Sequence, residues 1–185
     1  MKYTVENSRI TEFFVMLEDD MYLPCTCALV TINHDKNIMN AKTNYGDYTF
    51  VRTPSADNES FMGYMSRIDE EYFLSRIAEK TVFDPEKSRK ETAVKVLPKC
   101  REGLSSGEYK ELCQELDDVA ASSENDFIAK VQDILGRHGS EDQYGLIECC
   151  YDYSDKVRAF ARVFRNVLRP MIKKQLEDEV PEIDI

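Results

Sequence analysis

Six cysteines, two histidines and two rows of like charge are the residues here whose types and spacing could do chemistry. Cys25-Thr26-Cys27 and Cys149-Cys150 could together offer four thiolates to a zinc ion. Structural zinc sites normally place two to four residues between paired cysteines, and neither pair has that spacing. Buried free thiols are the preferred reading. Alternation along a strand would put Cys25 and Cys27 on one face, which suits core packing. A Cys–His mechanism needs a base beside the nucleophile. His34 falls in the turn-forming run Asn33-His34-Asp35-Lys36-Asn37, and His138 at a helix end beside Gly139, where the helix dipole favours it. Both are expected on the surface. Seven glycines are scattered and no G-x-x-x-x-G-K loop occurs. Acids abound, so no pair of them marks a hydrolase. The expectation is a non-enzyme with no cofactor and no metal.

The two charged rows carry more information. At 100° per residue, Arg158, Arg162, Arg165, Arg169 and Lys173 fall within an arc of about 80° on a C-terminal helix. On a helix expected over 106–121, Glu108, Glu111, Glu115 and Asp118 share a similar arc of about 80°. Each row flanks an apolar seam. If the helices are neighbours, the rows could face each other as rim pairs worth ~0–1 kcal/mol each. If either row is exposed, it is a partner-binding surface: arginines for phosphate or carboxylate, acids for a basic groove.

The elements that must position these rows follow from length and pattern. A chain of 185 residues with 42% apolar content can bury a core. The expected fold class is α+β: residues 1–80 as an α/β part with an antiparallel meander, 81–185 as a helical part forming one unit with it. ITEFFVML (10–17) reads as a short helix. CTCALVTI (25–32), IMNAKT (38–43) and YTFVRT (48–53) read as three strands joined by short turns. Tyr48, Phe50 and Arg52 then share one face, and Pro54 stops the strand. From Asp57 the period turns helical, with fresh starts at Asp69-Glu70-Glu71, Asp84-Pro85-Glu86, the capping box Ser105–Glu108, Ser123 and Ser154. Pro98 should kink or end its helix.

Net charge is −11. Residues 155–176 hold seven bases and one acid, whereas 177–185 hold five acids and no base. Such a chain repels nucleic acid over most of its surface and suits a basic protein partner. No apolar run approaches the ~20 residues of a membrane span, and the N-terminus lacks a leader's apolar core. The chain reads as cytoplasmic, in a host cell, with no membrane partner.

The run TNYGDYTFVRTPSADNESFMGYMSRIDEEYFLSRI (43–77) resembles a group of small phage- and prophage-encoded accessory proteins. Tyr45-Gly46-Asp47-Tyr48, Phe50, Phe61, Tyr72-Phe73-Leu74 and Ile77 carry the likeness. Phe83-Asp84-Pro85-Glu86 and the basic helix before an acidic tail add to it. Where the pattern has a tryptophan after the hairpin, this chain has Val51-Arg52. The resemblance implies an inhibitor of host defence, such as an anti-CRISPR protein acting on a Cas9-type nuclease, whose positively charged channel suits an acidic protein. Competing expectations are a nucleic-acid-binding accessory protein that uses the Arg158–Lys173 row, and a structural or virion-associated protein.

Overall fold

The computed structural model describes residues 8–18, 25–53 and 59–178. Strand-stopping Pro54, the helical onset at Asp57, Asp19-Asp20, the N-terminal leader reading and the tail from 179 lie outside them. Four strands come first: β1 (Ile10–Met16), β2 (Cys27–Asn33), β3 (Ile38–Thr43) and β4 (Gly46–Val51). Two helices follow, α1 (Phe61–Met65) and α2 (Glu70–Ile77), then a short strand β5 (Val82–Phe83). Next are α3 (Pro85–Cys100), α4 (Ser106–Asp117), α5 (Glu124–Arg137), a 3-10 turn (Glu141–Leu146) and β6 (Tyr151–Asp152). A long C-terminal helix closes the chain as α6 (Asp155–Val163), a π-turn (Phe164–Leu168) and α7 (Arg169–Asp178). The chain forms two compact units. One comprises residues up to Glu79 and from Tyr153 onward, the other Lys80–Asp152.

In the first unit the strands pair antiparallel in the order β1-β2-β3-β4, with Phe13 opposite Val30, Val30 opposite Ala41 and Ala41 opposite Tyr48. The sheet therefore has four strands, not three, and 10–16 is a strand rather than a short helix. The reason lies in its burial. Phe13 and Val15 point inward, but the outward positions are also apolar: Phe14 is 66% exposed and Met16 74%. The period of two is real but hidden in the residue types. His34 does stand in the β2–β3 turn, yet it is buried rather than on the surface. Its Nε2 lies 2.8 Å from Thr11 Oγ1 of the neighbouring strand. Asn37 completes that turn at a φ of 53°, a left-handed conformation that asparagine tolerates. Tyr48, Phe50 and Arg52 share the buried face, as alternation requires.

One face of this sheet meets the helices through aromatic rings. Phe73 of α2 stacks on Phe164 at 3.8 Å and 8°, and on Phe50 of β4 at 5.9 Å and 13°. Tyr48 stacks on Phe160 at 4.8 Å and 8°. Asp69 caps α2 by accepting the Tyr72 N–H at 2.7 Å. The π-turn also has a sequence cause. Phe160, Phe164, Leu168 and Ile172 are all buried, a strict spacing of four. A 3.6-residue helix would rotate such a row steadily off the seam, and a wider turn resets it. Pro170 has no N–H for the usual bond, while the Arg169 N–H reaches back five residues to the Phe164 carbonyl.

In the second unit, Asp84 accepts the Lys87 N–H at 2.9 Å and Pro85 opens α3. The capping box of α4 forms in both directions, Ser105 N–H to Glu108 Oε2 at 2.9 Å and Glu108 N–H to Ser105 Oγ at 3.4 Å. Ser123 accepts the Asp126 N–H and opens α5. Pro98 lies inside α3 near its end, and α4 stops at Asp117, short of residue 121. Val96, Leu112, Leu116, Phe127, Val131 and Leu135 form the core. Two buried hydroxyls hold the segment leading to β6. Ser88 accepts the Cys150 N–H at 2.8 Å, and Thr92 accepts the Glu148 N–H at 2.9 Å.

Replacing Phe73 with Ala removes the ring shared by the two stacks. The expected loss is about 3–5 kcal/mol of folding free energy, measured as a fall in the urea midpoint.

Candidate functional site

The acid row is built on α4, whose buried face is Leu112 and Leu116. Its members are not equivalent. Glu108 is spent on the capping box, and its bonds to Ser105 hold its carboxyl below the usual range. Glu115 is a junction: Oε1 meets Arg137 Nη1 at 2.6 Å and Oε2 meets His138 Nε2 at 3.1 Å. The Arg137 hydrogen bond is the main cause of its lowered pKa, outweighing partial burial, and His138 adds to it. His138 does end α5, but its side chain is only 8% exposed against Glu115, so it is not a surface residue. Glu111 is exposed, and Asp118, exposed too, accepts the Gln114 Nε2 hydrogen at 2.9 Å. Between α4 and α5 lies an open groove of about 650 Å3. Val119, Ala129 and Ile134 form its apolar floor, while Glu115, Asp118 and Asp133 line its rim. Lys130 and Arg137 are its basic members.

Part of the basic row is engaged within its own unit. Arg165 Nη1 meets Glu70 Oε2 of α2 at 2.7 Å, and Arg169 Nη1 donates to the Ile68 carbonyl at 3.2 Å. Arg158 lies 5.9 Å from the Tyr153 ring centre. Arg162 is partly buried, and Lys173 is exposed. The arc expected for this row assumed a regular helix, and the π-turn at 164–168 rotates its two halves relative to each other. Glu70 is thus a counter-charge that sequence reasoning missed. It sits at the start of α2, where it reads simply as a dipole acid.

Burial raises two of the thiols. Cys25 is buried just before β2, and burial, helped by Cys27, pushes its thiol up to about 11. Cys27 begins β2 half-buried, its Sγ 3.9 Å from Asn44 Oδ1. Burial likewise raises the Cys149 thiol. Among the described residues, no three His, Cys, Asp or Glu side chains converge to hold a metal. The remaining polar cluster is structural in form. The Arg52 guanidinium lies over the Tyr64 ring at 4.3 Å and 3.4 Å from Glu59 Oε2, which Arg67 also holds at 2.7 Å. Burial, then the hydroxyl bond to Tyr72, pushes Tyr64 up to about 12. Among the described residues, no helix is long and apolar enough to cross a membrane.

Two outcomes follow from these contacts. Glu115 has a lowered folded pKa, so its stabilisation is present above about pH 4.5 and is lost as pH falls below that value. The difference in urea midpoint between the wild type and Glu115→Gln should therefore narrow from pH 7 to pH 3.5. Arg165→Glu sets like charges against Glu70 and should lower the thermal midpoint, with the change shrinking in high salt.

No curated protein and no solved structure matches the chain. A family model described as a phage family matches residues 3–174, which is most of the sequence. The chain therefore belongs to that phage family.

Proposed function

We propose that this phage-family protein works by binding another protein, not by catalysis, and that its contact is the acid-rimmed groove between α4 and α5. The observation that carries the reading is the pairing of an apolar floor with the exposed rim carboxylates of Asp118 and Asp133. A lysine or arginine has that chemistry in reverse: an aliphatic stem to cover apolar surface and a cationic head for carboxylates. A net charge of −11 would steer such a partner in and hold nucleic acid off. The partner class we assign is a host defence nuclease of the Cas9 type, whose nucleic-acid channel is positively charged. The engagement of Arg165 and Arg169 within their own unit supports the acidic surface over the basic row as the contact.

The test uses a purified Cas9-type nuclease of the natural host. The wild-type protein should bind it and slow its cleavage of guide-matched DNA. The double variant Asp118→Lys, Asp133→Lys, at two exposed rim positions, should keep its circular dichroism spectrum and lose at least tenfold in inhibition. Unimpaired cleavage in the presence of the wild type, with no binding, would sink the reading. A gel shift of duplex DNA by the wild type at low salt, abolished by Arg162→Glu with Arg165→Glu in a folded protein, would favour the nucleic-acid alternative.

A further inference from the structure

A second groove lies on the other side of α4, and its charge has the opposite sign. It runs between α3 and α4 and encloses about 520 Å3. Ala93, Val94, Leu97 and Cys113 line it with apolar surface. Val94 is 71% exposed, although it belongs to a regular helix with a full buried face of its own. Arg89, Lys90 and Lys110 border this surface, against one acid, Asp117. That local excess of base stands in a chain of net charge −11.

Charge and length suit the groove to a carboxylate-bearing ligand. The Arg89 guanidinium meets both the carbonyl and the carboxylate of Asp117. Lys90 and Lys110 are exposed at the groove's edge and present their ammonium groups to a ligand. From Arg89 to Leu97 the groove spans about 12 Å at 1.5 Å per residue, the length of four extended residues.

We propose that the α3–α4 groove binds an acidic peptide segment carrying aliphatic side chains. The aliphatic groups cover Val94 and Leu97, and the carboxylates lie against Lys90, Lys110 and Arg89. This site differs in place and in sign from the acid-rimmed groove, so either can fail without the other.

The probe is a fluorescein-labelled decapeptide, LEDEVPEIDI, which is residues 176–185 of this chain and has the required chemistry: five acids with four aliphatics. Fluorescence anisotropy with the full-length protein should show saturable binding that weakens as salt is raised. Val94→Glu should weaken it at least tenfold, and Lys90→Glu with Lys110→Glu should do the same. These positions are exposed, and circular dichroism would verify that the variants stay folded. The peptide with its five acids changed to glutamine or asparagine should not bind. No binding of LEDEVPEIDI at millimolar protein overturns the proposal, and so does equal binding to the wild type and Val94→Glu.

Discussion

The first unit depends on one aromatic ring. Phe73 is fully buried and touches rings contributed by β4 and by both the α6 and π-turn parts of the last helix. Chain segments that are far apart in sequence meet around it. Stacked and tilted rings prefer a few offsets, adding ~0.5–1.5 kcal/mol per pair beyond the area buried. They therefore fix how α2 and the C-terminal helix lie on the sheet, which apolar burial alone leaves free. The π-turn follows from this constraint. The helix must keep a residue every four positions against the rings, and its hydrogen bonds yield where its own period would carry that row away.

The second unit solves a different problem. Its α3 buries Ser88 and Thr92 in line with Val96 and Cys100. The two hydroxyls take backbone N–H groups of 148–150, a stretch that among the described residues has no paired strand before the short β5–β6 ribbon. Side chains of a helix thus complete what a sheet partner would supply. This leaves the opposite face of α3 and both sides of α4 to carry charge, and the two grooves beside α4 acquire opposite signs.

Much of this was legible in the sequence where the signal was local. Asp69, Asp84, Ser105 with Glu108, and Ser123 act as the caps their types and spacing imply, because a capping bond depends on residues three apart, whereas Ser154 stands at the start of α6 without a side-chain capping bond. The alternation Tyr48, Phe50, Arg52 was legible for the same reason. β1 was not, because Ile10, Phe14 and Met16 put apolar groups on its exposed face and erased the contrast on which a period is read. The acid row was legible as an arc, but not its division into the committed Glu108 and Glu115 and the exposed Glu111. That division depends on Arg137 and His138, which come from another helix. The bases of the α3–α4 groove went unnoticed because Arg89 and Lys90 are interleaved with Glu86 and Glu91, and Lys110 comes from another helix.

The short β5–β6 pair has a consequence for how the chain folds. It joins Val82–Phe83 to Tyr151–Asp152, and the Thr81 N–H reaches the Asp152 carbonyl at 3.0 Å. The strand that enters the second unit and the strand that leaves it are therefore side by side. Until that ribbon forms, the last helix must find its sheet across a long floppy loop, whose closure entropy grows with length at about 0.6 kcal/mol per doubling. Once it forms, the same closure spans only a few residues. The second unit, complete within one continuous stretch of chain, can fold first during synthesis and act as a clasp. It shortens the search by which the C-terminal helix completes the first unit.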